Sequence, residues 1–75
     1  MEESVLYKWL DESLEREITV YKDIHRWSIQ LREGNIYFRA VGQDLSDASL
    51  SAVGQGIPEI KRLLEDLAAD EKTGP

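Results

Sequence analysis

Apolar residues recur along this chain at helical spacing near both ends and in strict alternation between them. Val5, Leu6, Trp9, Leu10, Leu14 and Ile18 lie three or four residues apart among charged residues, the pattern of a helix with one buried face. Acids precede Ser4, which can cap such a helix, and the spacing predicts helix over roughly residues 3–16. Ile18-Thr19-Val20-Tyr21 is β-branched and aromatic, then Lys22-Asp23 interrupts it, so it reads as a short strand or as an extension of the helix.

Alternation begins at Arg26. Trp27, Ile29 and Leu31 share one face and Arg26, Ser28 and Gln30 the other; Ile36, Phe38 and Ala40 then alternate with Tyr37, Arg39 and Val41. The pattern predicts an antiparallel hairpin. With Glu33-Gly34 as the loop, Leu31 faces Ile36, Ile29 faces Phe38 and Trp27 faces Ala40, which keeps every large apolar residue on one side. Glu suits the first position of a type I′ turn poorly, so a bulged loop using Gly34 is the alternative.

The helical interval returns after Gly42. Asp44 or Ser46 can cap it, and Leu45, Ala48, Ala52, Val53, Ile60, Leu63, Leu64 and Leu67 fit one stripe. Gly54-Gln55-Gly56 followed by Pro58 interrupts this run, which predicts a short helix near 45–53 and a second near 58–70 rather than one rod. The resulting fold class is a two-layer α+β domain: an N-terminal helix, an antiparallel β-hairpin that becomes three-stranded if Ile18–Tyr21 joins, and a C-terminal helix or broken helix pair. Residues 1–70 form one domain, and residues 71–75 are expected as a frayed polar tail. A hairpin alone is barely stable, so the sheet needs that third strand or a copy from another subunit.

Composition narrows the chemistry. Seventy-five residues without cysteine exclude a disulfide framework, thiolate metal sites and a cysteine nucleophile, and they fit a cytoplasmic setting. Met-Glu-Glu-Ser at the start has no basic or apolar signal region, and no apolar stretch is long enough for a membrane span. His25 is the one histidine, so no multi-histidine metal site can form within a chain. The serines lack a Gly-x-Ser-x-Gly setting, and three of them crowd the start of the second helical stretch as caps. Asp11/Glu15 and Asp66/Asp70 are spaced as solvated helix faces, and the glycines match no phosphate-binding fingerprint. The expectation is a protein that is not an enzyme and takes no cofactor or metal.

Charge is unevenly distributed. Residues 1–17 carry six acids and two bases, residues 18–43 two acids and four bases, and residues 44–75 seven acids and three bases, giving −4, +2 and −4. Acidic flanks disfavour a nucleic-acid partner. The candidate partner-binding residues are Arg26, Gln30, Arg32, Tyr37 and Arg39, the polar side of the hairpin, because Arg and Tyr combine apolar area with directional hydrogen bonds. The expected function is a small protein-interaction or regulatory module that self-associates, as a homodimer for instance, and binds a protein through that face or a hairpin edge. The alternative is an acidic inhibitor of the sort phages encode, mimicking nucleic acid with carboxylate-rich helices.

Overall fold

The computed structural model describes residues 2–73, with side chains described for 4–70. Helix α1 (Glu2–Asp11) leads into strands β1 (Arg16–Lys22), β2 (Trp27–Glu33) and β3 (Ile36–Gly42), followed by α2 (Leu45–Ser51), a π-helical turn (Ala52–Gly56) and α3 (Ile57–Thr73). The sheet is antiparallel in the order β1-β2-β3. This is the α+β architecture expected, with Ile18–Tyr21 inside a third strand. Among the described residues no helix is long and apolar enough to cross a membrane.

Helix α1 stops at Asp11, short of the expected residue 16, and Ser4 lies within it rather than at its cap. Ser13 ends the helical register: its hydroxyl accepts from the Glu15 amide at 3.3 Å and its carbonyl accepts from the Arg16 amide at 3.3 Å. Leu14 is fully exposed and Ile18 belongs to β1, so their helical spacing was coincidence. From Arg16 onward the chain gains a ladder with β2, and that pairing outweighs helix continuation.

The hairpin register differs from the expected one by two residues. Glu33 pairs with Ile36, Leu31 with Phe38, Ile29 with Ala40 and Trp27 with Gly42, so the loop is Gly34-Asn35 rather than Glu33-Gly34. A positive φ of 59° at Gly34 and none at Asn35 is the sign pattern of a type II′ turn, which wants glycine first. A shift of two preserves the face of every residue, and the apolar set stays together.

Asp44 is the cap of α2: its carboxylate accepts from the Asp47 amide at 2.8 Å, while Asp47 accepts from the Gln43 amide at 3.1 Å, a reciprocal arrangement that satisfies two donors. The expected break at 54–58 is instead a π turn that joins α2 to α3, with right-handed helical backbone on both sides of it. Pro58 offers no amide, and its ring crowds the carbonyl four residues back, so a widened turn lets the helix pass through it. The turn has a second consequence. Ala48, Ala52, Gly56 and Ile60 face the sheet at intervals of four, which overshoots a 3.6-residue turn; the wider π turn cancels that drift and keeps the stripe on the sheet.

Leu6, Trp9, Ile29, Leu31, Ala40, Ala48, Ala52, Ile57 and Ile60 form the core, between one face of the sheet and the helices. Two glycines set the separation of the layers. A Cβ on Gly42 would lie 2.3 Å from the Ala48 nitrogen, and one on Gly56 would lie 2.9 Å from Leu31 and Phe38 side-chain carbons. Residues 45–73 would extend about 43 Å as helix, against about 24 Å for a seven-residue strand. The end of α3 therefore overshoots the sheet, in keeping with extents of 50 × 21 × 18 Å. Residues 71–73, expected as frayed tail, continue the backbone of α3.

Candidate functional site

Because successive strand residues alternate in direction, the register fixes what the face opposite the helices presents. Three rows cross it: Glu17, Arg32 and Tyr37; Thr19, Gln30 and Arg39; Tyr21, Ser28 and Val41. Four of the five expected site residues, Gln30, Arg32, Tyr37 and Arg39, stand together here. Arg26 does not. It lies in the β1–β2 turn, where its carbonyl accepts from the Asp23 amide at 2.8 Å, outside the alternation that grouped it with Ser28 and Gln30, and Ser28 is the residue paired with Val41.

Sequence reasoning missed the third of this face that β1 supplies. Glu17 forms an ion pair with Arg32, which also donates to the Gly34 carbonyl at 3.2 Å. Tyr21 lies beneath the guanidinium of Arg39 at 5.3 Å, and Arg39 donates to the Gln30 side chain at 3.4 Å. Arg39 and Tyr21 stand on the outer strands to either side of β2, where Ser28 pairs with Tyr21. The signal was available: once Ile18–Tyr21 is a strand, alternation puts Thr19 and Tyr21 on the side away from Ile18.

Both arginines are held in place without being buried, which lowers the entropy lost when a partner docks. Tyr37 is 66% exposed, Tyr21 45% and Val41 43%, so flat apolar area accompanies the guanidinium groups. The face can take up hydrogen-bond acceptors and apolar surface together.

A different set of groups holds the covered side. The half-buried Arg16 donates to the Trp9 carbonyl at 2.8 Å, forms an ion pair with Glu33, reaches Glu12 at 3.2 Å and lies 4.8 Å above the Trp9 ring. It ties the C-terminal end of α1 to β2. The Trp9 ring nitrogen has no hydrogen-bond partner among the described residues, and the Arg16 guanidinium over the ring is a separate cation–π contact. Beyond this clamp an apolar groove of about 260 Å³ opens, with Ile18, Val20 and Ile29 as its floor, Leu6, Tyr7 and Leu10 of α1 along one wall and Leu45 along the other.

His25 is exposed in the β1–β2 turn, and among the described residues no group of three or more histidines and acids could hold a metal ion. On the solvent side of α3, hydrogen bonds from Arg62 hold the Glu59 carboxyl below its ordinary range, and the same bonds raise Arg62. Arg62 also reaches Asp66 at 3.5 Å, an i, i+4 pair on a solvated helix. No protein-family model, curated protein or solved structure matches the chain.

Proposed function

We propose that this protein is a non-enzymatic interaction module whose open sheet face binds a protein partner. The observation that carries this reading is the grouping, on the one sheet face without helices, of Tyr21, Tyr37, Arg32 and Arg39, with Arg39 braced on Tyr21 and Gln30. An antiparallel sheet covered on one side needs polar residues on the other; it does not need exposed tyrosines beside pre-positioned arginines.

Layering of charge adds support. The acids of the two −4 segments lie on the helices or their loops, except Glu17, while Arg32 and Arg39 stand on the open face. The two sides of the domain therefore offer opposite charge, and the open face suits a partner surface with exposed carboxylates or carbonyls. The same layering supports the second reading, an acidic mimic acting through the helical side, where Glu65 and Asp66 are exposed on α3.

A photo-crosslinking residue placed at Tyr37 or at Lys61, in cells producing the protein, separates the two. The expected result is a discrete protein adduct from position 37, abolished by Arg39→Glu while the urea unfolding midpoint stays put. An adduct from position 61 alone would transfer the function to the acidic helices, and none from position 37 would end the proposal.

A further inference from the structure

Strand β1 is an edge strand that pairs with β2 along all seven residues without a bulge. Natural edges are usually blunted by proline, a bulge or an inward charge; β1 carries inward charges at its two ends, Arg16 and Lys22, but Ile18-Thr19-Val20-Tyr21 between them has no proline, bulge or charge. Its cover is lopsided. The clamp on Arg16 holds α1 over the first half of the strand, whereas Val20 is 48% exposed and opens into the apolar groove, beside Tyr7 at 67% and Leu45 at 37%. The opposite edge differs: β3 lies under α2 and the π turn, with Ala40 and Gly42 buried.

We infer that two copies of the chain join through β1, antiparallel about Thr19, forming one six-stranded sheet in which each copy covers the groove of the other. A two-fold axis at Thr19 reverses the strand ends. The clamped, α1-covered end of one β1 then falls beside the open Val20 end of the other. Ile18 meets Val20 of the second copy on the groove side, and Glu17 meets Tyr21 on the open side.

Arg16 of one copy lies opposite Lys22 of the other, two cations, at both ends of the ladder. Glu12 and Glu33, which Arg16 holds, bring that cluster to a net charge of −1 and offset the pairing. A slip of one residue would set Thr19, on the open side, against Val20 on the groove side. Slips of two keep the faces but pair five of the seven β1 residues instead of all seven, and set Arg16 against Val20 or Glu17 against Asp23. The six-stranded sheet also unites the two open faces, with a central row running from Arg39, Gln30 and Thr19 of one copy into Thr19, Gln30 and Arg39 of the other. This inference does not depend on the open face having a partner.

The chain has no cysteine, so a single introduced one reports the contact. Opposed residues in an antiparallel pair have Cα atoms about 4.5–5.5 Å apart, within disulfide reach. Thr19→Cys is expected to form a covalent dimer in a glutathione redox buffer, while the more exposed Tyr37→Cys stays monomeric. Light scattering of the unmodified protein is expected to give twice the 8.6 kDa chain mass, falling to one chain for Val20→Lys and unchanged for Arg39→Glu. A mass of one chain up to the solubility limit overturns the inference. So does equal crosslinking at both cysteines, or crosslinking at Tyr37→Cys alone. Should Val20→Lys fail to fold, the cysteine pair still decides, because neither replaces a core residue.

Discussion

The two faces of this sheet share the same strands, the same alternation and the same register, yet they impose opposite demands on a side chain. On the covered face, Ile29, Leu31 and Ala40 are enclosed, and helix and sheet approach so closely at Gly42 and Gly56 that a methyl group has no room. On the open face, Thr19, Gln30 and Arg39 rest on the sheet with solvent above them. Every covered position is constrained by packing, so identity there records the fold. Packing does not fix identity on the open face, which is why the proposed function rests on the aromatic and guanidinium groups there.

The comparison breaks most visibly at Gly42. A Cβ there would stand 2.3 Å from the Ala48 nitrogen and 2.7 Å from the Asp47 carbonyl carbon, all backbone atoms of α2 that no rotamer change can move. A 75-residue domain has about 4–11 kcal/mol of stability in total. Gly42→Val is therefore expected to abolish cooperative unfolding, seen as loss of the near-ultraviolet tryptophan signal. A folded variant of native stability would show that α2 can lift from β3 at little cost.

Next in size are adjacent residues on opposite faces. Leu31 is fully buried, and Leu31→Ala is expected to cost about 2–5 kcal/mol through lost burial and the cavity left behind. Arg32, one residue on, is exposed and paired with Glu17; Arg32→Ala is expected to cost under about 1 kcal/mol, since exposed ion pairs contribute little. Urea denaturation of both variants measures the ratio. Equal losses would mean that the open face is covered in solution.

Much of this division was legible in the sequence. The alternation of Trp27, Ile29 and Leu31 with Ser28 and Gln30 assigned faces correctly even though the loop was misplaced by one residue, because that shifts the pairing register by two and an even slip leaves sidedness intact. Chemistry at the turn was the weaker guide: Gly34 fits as the first residue of a type II′ loop, a choice that depends on φ signs rather than on composition. At Leu14 and Ile18 helical spacing misled, since spacing cannot register that a strand edge is waiting to pair. Arg26 falls in the turn, off the open face, because alternation continues into a turn without changing its appearance. The π turn was hidden because Gly54, Gly56 and Pro58 look like a break; only the sheet beneath, which needs Ala48, Ala52, Gly56 and Ile60 in line, explains why the helix continues.

That helix carries the smallest test of the comparison, since Gly54 and Gly56 lie two residues apart on it, one exposed and one buried against the sheet. Neither has a positive φ, so neither backbone requires glycine. A methyl at Gly54 meets nothing within 4 Å, and Gly54→Ala is expected to stabilise the fold by about 0.5–1 kcal/mol through lower entropy of the unfolded chain and better helix propensity. A methyl at Gly56 meets Leu31 and Phe38 at 2.9 Å, and displacing them is expected to outweigh the same propensity gain, leaving Gly56→Ala about 1 kcal/mol less stable. Opposite signs in urea midpoints, at an unchanged denaturant slope, would place the close approach of helix and sheet at Gly56 itself. Stabilisation by both would mean that Leu31 and Phe38 can yield, and that the π turn exists to carry the chain past Pro58 rather than to seat it on the sheet.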